Sequence, residues 1–239
     1  MADCIINPQR NANEPQLPES GIMLINPAEA ALGMRIAGRK KGQRLFLYNS
    51  NLFIINQEAA PFFLAGPAVG APMAVLTLEK LIALGAKNIF VLGWCGSLRR
   101  ELRIGDILLP TWGLSEEGTS AHYPVNFRPQ SALELRNRFN DIFHKAYQIS
   151  QGPIWTTDAP YRETRDKVTK YAGQGIMAVD MEFSALLTVA AFRKVKLAGA
   201  MLISDELYQP VWQPGFKSKS FRKQSRNFLQ LLLENFGTG

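Results

Sequence analysis

The feature that most constrains this chain is an amphipathic helix feeding a strand that has no polar face. Pro72 opens a segment in which Val75, Leu78, Leu81, Ile82 and Leu84 form one apolar stripe, and Gly85 stops it. Ile89-Phe-Val-Leu92 then runs apolar without alternation, the pattern of a strand buried on both faces. The theme recurs. Ile22 to Ile25 reads as a buried strand ended by a turn at Asn26-Pro27, and Ile107 to Leu109 as a strand capped by Pro110. Short strand-like runs cover Leu45 to Tyr48, Leu52 to Asn56 and Pro61 to Ala65. Helical spacing marks Leu133 to Tyr147, a segment starting at Val179, and an amphipathic closing helix from Phe221 to Phe236 with Phe228, Leu231, Leu232 and Asn235 on one face. A strand spans Leu197 to Ile203. Strands alternating with helices predict one α/β domain over residues 21–239, a mixed and mostly parallel central sheet flanked by helices, after an extended leader over 1–20 that carries Pro8, Pro15 and Pro18.

Composition narrows the function classes. Hydrophobic residues make up 46% and charged residues 20%, which excludes a disordered polyelectrolyte or a fibrous repeat. The net charge is +7, but ten of the basic residues lie in two runs: Arg35, Arg39, Lys40, Lys41 and Arg44, then Lys217, Lys219, Arg222, Lys223 and Arg226. Without them 17 basic residues face 20 acidic ones, so the body of the protein is close to balanced. Each run is either a solvated surface or a cluster that recruits an anion. Trp155, Trp212 and Phe216 near basic residues read as packing, and no nucleic-acid partner is expected. Cys4 and Cys95 make no disulfide scaffold, and the scattered His122 and His144 give no zinc-ligand spacing, so no metal is expected. Without an apolar span of about 18 residues or a secretory core, neither a membrane partner nor a signal peptide is expected, and the cytoplasm is the expected compartment.

In open α/β sheets ligands collect at the carboxyl ends of strands. Three such ends carry informative residues. Leu92-Gly-Trp-Cys-Gly-Ser-Leu98 reads as a tight turn in which Gly93, Trp94, Cys95 and Gly96 bring backbone close to a ligand, without the Gly-Lys-Ser/Thr ending of a P-loop. Val179-Asp-Met-Glu182 reads as a helix start, where residues two apart diverge by about 200°. Asp180 and Glu182 are therefore not expected to act as a carboxylate dyad: one would face a site while the other bonds backbone or solvent. Ser204-Asp205 follows a buried strand, where an acid can be partly desolvated and suited to proton donation. Singly, each has an ordinary structural reading: a turn, helix-start acids, a capping Asp.

Together these segments resemble the nucleoside phosphorylase superfamily, of the purine nucleoside and uridine phosphorylase type that also includes nucleosidases. The resemblance rests on Gly93 to Leu98, Gly105-Asp-Ile-Leu-Leu-Pro110, Glu117-Gly-Thr-Ser-Ala-His-Tyr123, Thr156-Thr-Asp-Ala-Pro-Tyr-Arg-Glu-Thr164, Val179 to Glu182 and Ser204-Asp205, in family order. The Glu117 and Thr156 runs look most like the uridine phosphorylase branch. The resemblance implies cleavage of a nucleoside's N-glycosidic bond. Glu182 with Met181 would hold the ribose hydroxyls, Tyr161 would stack on the base, and Val179 and Asp180 would line the base pocket. Asp205 would protonate or hydrogen-bond a departing purine, positioned by Ser204. Arg162 would imitate the Arg of the Gln/Arg pair that pyrimidine-cleaving members use, although no matching Gln is present. The Ser-Asp pair thus points to purine and the overall motif style to uridine. The resemblance also implies a homo-oligomer, inorganic phosphate as co-substrate and no organic cofactor.

The phosphate site departs from the family. In place of Gly-Asp-Pro-x-Arg the chain has Ile25-Asn-Pro-Ala-Glu29, so an acid replaces a phosphate-binding Arg. Val91 stands for a second Arg, Trp94 for a phosphate-binding Ser, and an Arg lent by a neighbouring subunit falls near Tyr48, with Arg44 close by. Charge-assisted hydrogen bonds are worth about 1.5–3 kcal/mol each. Three readings follow. The run Arg35 to Arg44, or Arg99 and Arg100, forms a relocated anion site. Alternatively, phosphate is not the nucleophile and Glu29 activates water, as a Glu does in nucleosidases. As a third reading, Trp94 fills the anion site of a noncatalytic nucleoside-binding homologue.

Overall fold

The computed structural model describes residues 4–40, 42–56 and 60–236; Lys41 of the first basic run lies outside them. Ten strands join in one sheet: β1 (Ser20–Leu24), β2 (Gly42–Leu47), β3 (Ser50–Ile55), β4 (Phe62–Gly66), β5 (Asn88–Ser97), β6 (Ile107–Ser115), β7 (Ile149–Thr156), β8 (Ala178–Asp180), β9 (Lys196–Glu206) and β10 (Gln213–Pro214). Six helices flank it: α1 (Pro27–Ala37), α2 (Ala71–Ala83), α3 (Leu133–Phe143), α4 (Arg165–Gly173), α5 (Phe183–Arg193) and α6 (Lys219–Asn235).

The unbroken apolar run of β5 has the double covering that its sequence predicts. Ile89 and Val91 point into a core shared with α2 and α5, whereas Phe90 and Leu92 point into a second core shared with α1, α3 and α6. Phe90 meets Phe139 of α3 edge-on at 5.1 Å and Phe236 at 4.8 Å. Full burial of one such side chain contributes about 1.5–3 kcal/mol. The central strands β4, β1, β5 and β9 run parallel. Antiparallel pairings bring in β3, β2 and β10 at the edges and join β6 to β9 and β8 to β5, which makes the sheet mixed. Pairing in the order β5-β9-β6-β7-β8 and back to β5 closes half of the sheet on itself.

Several local expectations change. Asn26-Pro27 is not merely a turn: Pro27 sits at the first position of α1, where its missing N–H costs nothing. The glycine pair at 93 and 96 makes no tight turn. β5 continues through it to Ser97, with a register shift against β9 between Cys95 and Gly96. Pro110 does not cap β6, which runs on to Ser115 past an irregularity between Pro110 and Gly113. Val179 and Asp180 belong to β8, not to a helix, and α5 starts only at Phe183. Strand β7 and helix α4 escape a reading by periodicity because their apolar positions are interrupted by Gln151, Gly152 and Pro153 and by charged residues from Arg165 to Lys170. On α6 the buried face is Phe221, Ser225, Phe228, Leu229, Leu232 and Leu233, while Asn235 is exposed.

Candidate active site

The carboxyl ends of β5 and β9, the short strand β8 and the loop after β9 enclose a cavity of about 480 Å³. That volume suits a small organic ligand. Trp94, Cys95, Gly96, Tyr161, Val179, Asp180, Met181, Glu182, Ser204 and Asp205 all line it, so residues more than a hundred positions apart converge as the motifs predict. Gly96 is required by packing: a Cβ there would stand 2.3 Å from Leu207 and 3.1 Å from Asp205 Oδ2. Gly93 lies behind the wall, against Met201 and Ile25. Arg162 is exposed and does not line the cavity, so it is not placed to imitate a base-binding Arg.

The four carboxyl groups of the lining are held differently. Asp205 is engaged on both oxygens, Oδ1 accepting from Ser204 Oγ at 2.6 Å and Oδ2 from the Trp212 indole N–H at 2.7 Å. Asp180 is also fully used: Oδ1 accepts from Thr156 Oγ1 at 2.6 Å, and Oδ2 from the backbone N–H groups of Glu182 and Phe183 at 3.2 and 2.7 Å. It thereby caps the start of α5. Glu182 Oε1 accepts from the backbone N–H of Gly70 at 2.6 Å. Asp180 and Glu182 thus share no side-chain hydrogen bond, and the reason is that Asp180 serves backbone, not helical divergence. Burial raises the Glu182 carboxyl above its ordinary range, and the Asp180 charge adds to that. Glu163, which sequence reading passes over, completes the set; burial, with Asp205 and Asp180 nearby, raises it to about 8. Burial also pushes the Cys95 thiol well up, which suits a wall residue better than a nucleophile.

Sequence reading assigns Trp212 and Phe216 to packing and passes over Arg165, yet each lines the cavity. Trp94 stacks on Phe216 at 6.5 Å and meets Phe221 edge-on at 5.0 Å. Arg165 pins the loop after β9, its guanidinium donating to the carbonyls of Leu207, Gln209 and Pro210 at 3.0, 2.7 and 2.9 Å. It is the lone cation of the lining among the described residues, and its hydrogen bonds go to backbone. Tyr161 stands fully exposed at the rim, with no aromatic partner among the described residues.

Glu29 is not where a water-activating base needs to be. It does not line the cavity; its carboxyl is buried behind the Trp94 wall and accepts a hydrogen bond from Ser225 of α6. Burial raises it above the ordinary range, and the nearby Trp94 indole opposes that rise without reaching hydrogen-bond geometry. The proposed replacements for the phosphate ligands lie elsewhere too. Arg35 and Arg44 flank a separate groove of about 380 Å³ on the outer side of α1, and Arg99 bonds Glu101 and the Ala172 carbonyl. The described residues of both basic runs are exposed.

Among the described residues no helix is long and apolar enough to cross a membrane, and no group of three His, Cys, Asp or Glu is placed to hold a metal. By sequence the chain is 28% identical over 147 residues to a DeoD-type purine nucleoside phosphorylase of Bacillus cereus, a match over 60% of this chain and 63% of the relative. A DeoD-type relative from Brevibacillus brevis is 29% identical over 153 residues, covering 59% and 62%. The chain therefore matches under two thirds of the length of these curated relatives. The fold is similar to uridine phosphorylase from Vibrio fischeri (TM-score 0.80, 18% identity, 94% of this chain and 93% of that one). It is also similar to purine nucleoside phosphorylase from Toxoplasma gondii in complex with immucillin-H (TM-score 0.78, 20% identity, 92% and 90%). The phosphorylase superfamily model matches residues 29–236, so the chain belongs to the phosphorylase superfamily.

Proposed function

We propose that this chain is an enzyme that cleaves the N-glycosidic bond of a purine nucleoside, with inorganic phosphate as the expected nucleophile. One observation carries the reading: Asp205, oriented by Ser204, lines the same cavity as Glu182, which the backbone of Gly70 orients. Breaking the bond leaves the electron pair on the base and positive charge on the ribose. A proton or hydrogen bond from Asp205 to a ring nitrogen stabilises the departing base. Glu182 accepts from the ribose hydroxyls beside Met181, and the new bond forms between a nucleophile oxygen and the sugar carbon. The Trp212 indole must release Asp205 Oδ2 before that oxygen reaches a base, because its 2.7 Å bond occupies the cavity-facing carboxyl. The homo-oligomer expected from the resemblance is one that light scattering on the purified protein would detect.

A second reading, hydrolysis, is favoured by the absence of a free cation in the described lining. A phosphate dianion beside four carboxyl groups gains no charge-assisted bond from Arg165, which serves the loop. The test is incubation of the purified protein with a nucleoside panel, with and without phosphate. Sugar 1-phosphate formed only with phosphate supports phosphorolysis, free sugar formed without it supports hydrolysis, and ligand binding with no product in either arm overturns the enzyme reading in favour of a binding homologue.

A further inference from the structure

Two of the motif runs begin with a polar residue that the reaction above does not use. Glu117, just past β6, and Thr156, the last residue of β7, are both buried, and neither lines the cavity. They meet at the start of α5. Ser184, the second residue of that helix, donates its backbone N–H to Thr156 Oγ1 at 2.9 Å and its hydroxyl to Glu117 Oε1 at 2.9 Å. Glu117 is tied in turn to its own loop, accepting from Ser115 Oγ at 2.7 Å and from the Ser120 N–H at 3.0 Å. Gly113 of β6 presses on the same point: a Cβ there would stand 2.7 Å from Ser184 Cα. Thr156 also lies opposite Asp180 in the parallel β7–β8 pair, with Oγ1 2.6 Å from Asp180 Oδ1. An N–H can only donate, so the Thr156 oxygen accepts from Ser184 and its O–H donates to Asp180. One hydroxyl thus holds both ends of the 180–184 segment that carries Met181 and Glu182.

We propose that Thr156 is a positioning residue for the glycosidic cleavage: its hydroxyl, locked between Ser184 and Asp180, fixes the 180–184 segment and through it the Glu182 carboxyl. This rests on the reading above in which Glu182 holds the ribose hydroxyls. Thr156 acts through Asp180, whose other oxygen accepts from the backbone N–H groups of Glu182 and Phe183. From that backbone the Glu182 carboxyl reaches the Gly70 N–H at 2.6 Å, so a shift of the segment moves the carboxyl off its bond and away from the sugar. A misplacement of about 1 Å can cost about 10²-fold in rate. Thr156→Val keeps the branched shape and removes the hydroxyl, which leaves the Ser184 N–H and Asp180 Oδ1 without this partner in a buried network. Thr156→Ser keeps the hydroxyl and removes the methyl group.

The experiment compares base release from inosine and from 2′,3′-dideoxyinosine by the full chain and its variants, as kcat/KM in phosphate buffer. The dideoxy substrate has no hydroxyl for Glu182 to hold, so it separates a misplaced carboxyl from a general loosening of the fold. The wild type should prefer inosine at least tenfold. Thr156→Val should lower kcat/KM for inosine at least tenfold and for the dideoxy substrate less than threefold, so that the preference falls at least threefold. Thr156→Ser should stay within threefold of the wild type on both. Where Thr156→Val does not fold, Thr156→Cys, whose thiol is a weak donor, is read by the same loss of preference. Equal losses on the two substrates, an unchanged preference in the folded variant, or a Thr156→Ser variant as impaired as Thr156→Val overturns this inference alone. A wild type that releases base from neither substrate, or from both equally well, overturns it together with the reading on which it rests.

Discussion

The two ends of the cavity are built from the same kinds of element and differ in what they can hold. At the Asp205 end, strand termini present carboxyl groups oriented by short bonds from Ser204, Trp212 or Thr156, and the turn before α4 adds Glu163 without such a bond among the described residues. At the Asn26 end, Asn26 before α1 and Trp94 of β5 line the cavity with uncharged side chains, and Glu29 is turned into the core against Ser225. A site that fixes the position of acids retains chemistry at a leaving group. Glu29 of α1 and Trp94 of β5 face one another across a helix–strand contact. On the proposed reading the carboxyl groups serve the leaving group, and Asn26 and Trp94 line the other end without charge.

The sharpest way to break this contrast is at Asp205. Asp205→Asn keeps the shape and the Ser204 contact while removing the proton donor, and nucleoside turnover should fall by about 10²–10⁴-fold, measured as base released under saturating nucleoside. A fall of less than tenfold would place the acid elsewhere, with Glu163 the next group to substitute. Glu182→Ala follows. It removes the ribose acceptor and strands the Gly70 N–H, whose loss of a partner costs about 1–3 kcal/mol, and the effect should appear as a KM raised by roughly tenfold or more with a smaller change in kcat. Trp212→Phe comes next. It frees Asp205 Oδ2 from its 2.7 Å bond while keeping an aromatic at the rim. A net hydrogen bond is worth about 0.5–1.5 kcal/mol, so free base should bind about two- to tenfold more tightly to the variant, and unchanged binding would show that the indole does not compete for that oxygen.

How much of this was legible in the sequence follows the same division. The helix–strand unit from Pro72 to Leu92 could be read directly, because β5 is apolar on both faces and α2 on one stripe. The Ser204-Asp205 pair and the Val179 to Glu182 run could be placed at strand ends by the apolar runs before them. The glycines at 93 and 96 misled, since glycine permits a turn but equally permits a strand pressed against Met201 and Leu207, and local sequence does not separate the two. Glu163, Arg165 and Trp212 carry no spacing signal. Their place in the cavity is fixed by the cross-chain bonds of Arg165 to the 207–210 carbonyls, contacts between segments about 42 to 45 residues apart. Glu29 shows the reverse limit: its chain position matches the family site, but its side chain answers to Ser225, 196 residues away.

The smallest expected effect tests the nucleophile end. Glu29→Gln keeps an acceptor for Ser225 and removes the ionisable group, so turnover should stay within about twofold if Glu29 is packing, against near-abolition if it activates water. Stability provides the independent readout. Burial raises the Glu29 carboxyl in the folded state, so the folded protein holds this proton more tightly than the unfolded chain does. The stabilising contribution is then full below the ordinary value of 4.5, declines as pH rises above it, and is gone once pH passes the raised folded value. Wild type and variant should therefore melt together near pH 4. At pH 8 the variant should be the more stable of the two, read as a higher melting temperature. A variant that loses both turnover and the pH-dependent gain would mean that the Glu29 carboxylate is ionised and at work in the cavity, and the contrast between the two ends would collapse.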